Sequence, residues 1–159
     1  MQRFCLRERF WESVRGIVIA MTPFYRVLRM TDMEGATLGL FVHFFRAAVA
    51  ELRVCSVIDN SQRAQILQIA DKRWKWMHKP IHGFAALVHT AYKSPAIASD
   101  TELLTDRDAY LAKALPMGEH TTILEQLICY TNQSGGPAFA SPTCWRREFL
   151  ATCSVLASA

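Results

Sequence analysis

The chain lacks most of the features that announce a function. Its five cysteines (Cys5, Cys55, Cys129, Cys144, Cys153) are odd in number, irregularly spaced and contain no C-x-x-C pair. That argues against a disulfide scaffold and for reduced, mostly buried thiols in an intracellular protein. The longest apolar patches, 16–21 and 38–45, are too short and too interrupted to span a bilayer. The opening MQRFCLRERFWESVRG is charged throughout, which is unlike a signal peptide, so a soluble chain without a membrane partner is expected. There is no G-x-S-x-G and no glycine-rich phosphate loop; Gly135-Gly136-Pro137 reads as a turn, because proline removes an N–H that a phosphate cradle would use. No internal repeat, no low-complexity block and no run of strand alternation is present. What remains is an all-α fold.

Composition supports a folded domain: 159 residues, 51% hydrophobic and 20% charged, with a net charge of +4. So modest a basic excess is compatible with nucleic acid and equally with an ordinary basic protein. Phe10, Trp11, Val14, Ile17, Val18 and Met21 form one stripe of an amphipathic helix, with Arg7, Arg9, Glu12 and Arg15 off it. Thr22-Pro23 then reads as an N-cap and first helical position of a second, short helix. A loop with Gly35 follows over 32–37. Phe41, Phe44, Phe45, Ala48, Val49 and Leu52 stripe the next helix, and Asp59-Asn60-Ser61 caps another whose shared face is Ile66, Leu67, Ala70, Trp74 and Met77. Pro80 ends it. Residues 81–92 read helical, 105–115 as a short helix, and Thr122-x-x-Glu125 as a capping box opening a further one. The domain reading is a helical domain over 1–130, a Gly/Ser/Pro-rich loop over 131–142, and a helix and tail over 143–159.

Polar, aromatic and imidazole side chains crowd together in one place. Between Asp71 and His82 lie Arg73, Trp74, Trp76 and His78, and Lys72-Arg73-Trp74-Lys75-Trp76 interleaves cations with indoles. Cations at Lys72, Arg73 and Lys75 would meet phosphates, and the Trp76 indole could stack on an unpaired base. Trp74 falls on the apolar stripe and reads as core. His78 and His82 have the i, i+4 spacing of helical metal ligands, but Pro80 falls between them and Lys79 stands where a zinc protease carries glutamate. Imidazoles hydrogen-bonding around a helix corner are the simpler account. Two-metal chemistry needs converging acids, and the candidates are Asp32, Asp59, Asp71, Asp100, Asp106, Asp108 and Glu119; most read as loop or cap residues, and Asp71 as an ion-pair partner of Arg73 or Lys75. No metal site, cofactor or catalytic residue is expected.

Several short motifs occur together in a familiar order. Phe10-Trp11-x-x-Val14 is followed by Pro23 with Val27-Leu28-Arg29-x-x-Asp32, then Ile69-x-Asp71-x-Arg73-Trp74, His78-x-Pro80-Ile81-His82-x-x-Ala85 and Pro95. Gln126-Leu127-x-x-Tyr130 leads on to Gly136, Phe139 and Trp145-Arg146-Arg147. Over about 9–150 this resembles the hAT transposase-like proteins, departing from them at Lys93-Ser94-Pro95 and Thr90-Ala91-Tyr92. The resemblance implies an irregular helical region like the insertion within the family's ribonuclease H-like domain. It implies that the catalytic acids would lie before Met1 and beyond residue 150, leaving this region inactive. Contact with DNA or with other protein chains, in an intracellular or nuclear setting, is implied too.

Two rival expectations stand beside a transposon-derived interaction region. One is a small helical enzyme built on His78, His82 and Asp71, requiring the three to converge. The other is a gene fragment without a role, which should expose an apolar patch where a missing sheet would pack.

Overall fold

Helical periodicity accounts for the elements seen in the computed structural model, which describes residues 8–35, 37–92 and 94–132. Among the described residues seven α-helices follow one another: α1 Glu8–Thr31, α2 Leu38–Val54, α3 Asn60–Met77, α4 Pro80–Val88, α5 Pro95–Ala98, α6 Thr101–Ala114 and α7 Met117–Asn132. A 3-10 turn, Thr90–Tyr92, follows α4. No strand occurs among the described residues, and the all-α expectation holds. The chain divides between His78 and Lys79 into two compact units, one with α1–α3 and one with α4–α7. That division falls at the Pro80 break. The expected loop beyond 132 and the last helix over 143–159 lie outside the described residues; Thr131 and Asn132 still belong to α7.

In the first unit, α1 packs along α2, and α2 against α3. Met30, Val42 and Leu52 are fully buried, and a cluster of Ala20, Leu52 and Ile58 gathers Phe24, Cys55, Ile66 and Leu67 around it. The free thiol of Cys55 is half-buried there. The α2 stripe is as expected: Phe41, Phe45, Ala48 and Leu52 are buried. Asp59 caps α3, its carboxylate accepting from the Gln62 N–H at 2.8 Å. Arg63 braces the join, donating to the Cys55 carbonyl at 2.5 Å and to the Asn60 side chain.

Two expectations fail in α1. Thr22-Pro23 does not start a new helix; one helix of 24 residues runs through it, with Pro23 buried in its interior beside Leu52 and Cys55. Proline there removes the N–H that would meet the Ile19 carbonyl. Packing on α2 outweighs that loss, and the Thr22 hydroxyl turns back to donate to the Val18 carbonyl at 2.7 Å. The second failure concerns the stripe. Gly16, Ala20, Pro23, Val27 and Met30 face the core, whereas Trp11, Ile17, Val18 and Met21 are exposed. Small residues let the helices approach closely, so the bulky stripe is turned outward.

In the second unit, α4 lies along α6. A Cβ at Gly83 would sit 2.5 Å from the Asp106 Cβ, so only glycine admits this approach. Phe84 stacks on Tyr110 with ring centroids 5.1 Å apart, and Ala86, Leu87, Leu103 and Leu111 are buried. Asp100 caps α6 by accepting from the N–H groups of Glu102 and Leu103, both at 3.1 Å, so α6 starts four residues earlier than expected. Thr122 does not open α7, which starts at Met117 directly after Pro116. The break at Leu115-Pro116 sets that start and leaves the Thr122-x-x-Glu125 pattern inside the helix. The Tyr130 hydroxyl ties α7 to α4, donating to the Val88 carbonyl at 2.8 Å.

Candidate nucleic-acid interface

The sequence places an indole on each side of α3, and packing decides their roles. Trp74 stacks on Phe45 at 4.8 Å, on Phe41 at 5.7 Å and on the His78 imidazole at 4.3 Å between ring centroids. Phe24 of α1 meets Phe45 edge-on at 6.1 Å, so the ladder joins α1, α2 and α3. Each such pair contributes on the order of 0.5–1.5 kcal/mol beyond its buried area. Trp74, with Ala70 and half-buried Ile66, Leu67 and Met77, fixes the rotation of α3 about its axis.

That rotation sends Lys72, Arg73, Lys75 and Trp76 to solvent. All four are exposed, Trp76 by 72%. At 3.6 residues per turn they fan across roughly 160° of the helix surface. The Lys75 ammonium lies 2.7 Å from the Asp71 carboxylate, an i, i+4 ion pair with both groups solvated. Such a pair is worth about 0–1 kcal/mol and yields readily to a phosphate. Lys72 and Arg73 form no ion pair among the described residues. The face combines three cations, one acid and a solvent-facing indole, with Ile69 exposed beside them. It can attract a polyanion and offer a ring to stack on.

The histidines and acids do other work. The His78 N–H closes the end of α3 on the Trp74 carbonyl at 2.7 Å, and its ring is part of the aromatic ladder. His82, in the second unit, accepts from the Lys79 N–H through Nδ1 at 2.9 Å and so caps α4. Asp59 and Asp100 are caps, as their positions suggested, whereas Asp106 and Asp108 lie inside α6 rather than in a loop or cap. Among the described residues no group of three or more His, Cys, Asp or Glu side chains is placed to hold a metal ion. No described helix is long and apolar enough to cross a membrane. No protein family, no curated protein and no solved structure matches the chain.

Proposed function

We propose that this chain is a helical region derived from a hAT-like transposase, without catalytic acids of its own, that contacts nucleic acid through the outer face of α3. The observation that carries the reading is the split between two tryptophans two residues apart: Trp74 is half-buried and stacked on three rings, while Trp76 is exposed among Lys72, Arg73 and Lys75. An exposed indole flanked by cations suits a single strand or a distorted DNA end, where a base is free to stack. The order of motifs supplies the transposase part of the reading, and a chromosomal partner would place the protein in the nucleus.

The test is binding of the purified protein to short duplexes and single strands across a salt series, beside Arg73→Ala/Trp76→Ala. Affinity should fall with salt, and loss of Arg73 should reduce the slope of log affinity against log salt by roughly one. A folded protein that binds neither strand form, or binds equally well after the double substitution, would overturn the reading.

A further inference from the structure

The outward stripe of α1 has a spacing of its own. Trp11, Val14, Val18, Met21, Tyr25 and Leu28 recur at alternating steps of four and three residues, starting with Val14 three after Trp11. All are exposed except half-buried Val14. The core of the unit is served by the opposite side, Gly16, Ala20, Pro23, Val27 and Met30. A helix lying on a globular core buries a broader stripe at steps of 3.6; strict 3–4 alternation is the seam of a helix pair. Here it runs for roughly 27 Å.

We infer that this seam pairs with α1 of a second copy of the chain, in antiparallel orientation. Charge selects both occupant and direction. Glu8 in the first turn and Arg29 in the last turn sit at the same flanking position of the repeat. In a parallel pair like ends meet, and these positions face the side carrying Phe10, Ile17 and Phe24. Antiparallel, Glu8 faces Arg29 of the second copy, and two-fold symmetry makes that contact twice. The remaining members of the same series, Arg15 and Thr22, then face each other without a like-charge clash. The seam closes into matched layers: Trp11 against Leu28, Val14 against Tyr25, and Val18 against Met21 about the two-fold axis. This inference goes beyond the nucleic-acid reading and stands on a different helix.

Sedimentation of the full chain over a concentration series tests it. The wild type should be a dimer that dissociates reversibly on dilution. Val18→Glu/Met21→Glu places four carboxylates at the axis and should weaken the dimer by about 100-fold or more, to a monomer. Both positions are exposed in the single chain, so its circular dichroism should be unchanged. Glu8→Arg or Arg29→Glu alone should weaken the dimer roughly three- to tenfold, and the two together should restore it. A wild type that stays monomeric to about 100 μM, because residues 133–159 or another chain cover the face, would overturn the proposal. So would a dimer indifferent to Val18→Glu/Met21→Glu, and failure of the charge swap to restore binding would overturn the antiparallel arrangement.

Discussion

The two units solve the same problem, burying a helix face, in opposite ways. The first uses rings and large aliphatics in its core yet leaves others outside: Trp11, Ile17, Val18, Tyr25, Leu28, Ile69 and Trp76 are exposed. The second brings α4 and α6 together over a glycine, and among its described residues only Ile81, Val88 and Ile128 are large, apolar and exposed. Surplus apolar surface is therefore concentrated in the first unit, where both the proposed dimer seam and the proposed nucleic-acid face lie.

Substitutions sharpen the contrast. Trp74→Ala should cost the first unit about 3–5 kcal/mol, because it empties the site shared by Phe41, Phe45 and His78; urea denaturation would show it. Gly83→Ala should cost the second unit about 1–3 kcal/mol, as Asp106 and the α6 backbone must move to admit one methyl group. Hydrogen exchange should localise that loss to α4 and α6 and leave α1–α3 protected. Asp100→Ala removes the acceptor for two N–H groups and should cost about 1 kcal/mol, seen as fraying of the first turn of α6.

The smallest effect concerns pH. Burial raises the Tyr130 hydroxyl above its ordinary value of 10.0. The unfolded chain therefore releases this proton first. The contribution is fully present below pH 10 and is lost as pH rises from there through the higher folded value. Stability measured above pH 10 should fall less steeply in Tyr130→Phe than in the wild type.

Local chemistry was legible in the sequence wherever one segment decides its own structure. The Asp59 cap, the α2 stripe, the Pro80 break and the inward Trp74 all follow from spacing within a few residues. So did the exposure of Lys72, Arg73, Lys75 and Trp76, since Trp74 sets their phase. The failures needed knowledge of a neighbour. Thr22-Pro23 has the form of a helix start and is overridden by burial against α2; Thr122-x-x-Glu125 has the form of a cap but follows a stronger break at Pro116. The bulky stripe of α1 looked like a core face because hydrophobicity alone cannot say that a smoother face, Gly16 to Met30, packs more closely. The Gly83–Asp106 approach joins residues far apart in the chain, with no pattern in either segment.

The most direct test uses the tryptophan pair. The affinity of one single-stranded oligonucleotide should be measured for wild type and Trp76→Ala at low and moderate salt, with urea stability measured in parallel. Loss of a stacked base should weaken binding by about 1–3 kcal/mol at both salt concentrations, while stability changes by less than about 0.5 kcal/mol. Equal affinity in the two proteins would contradict the claim that the outer face of α3 binds nucleic acid.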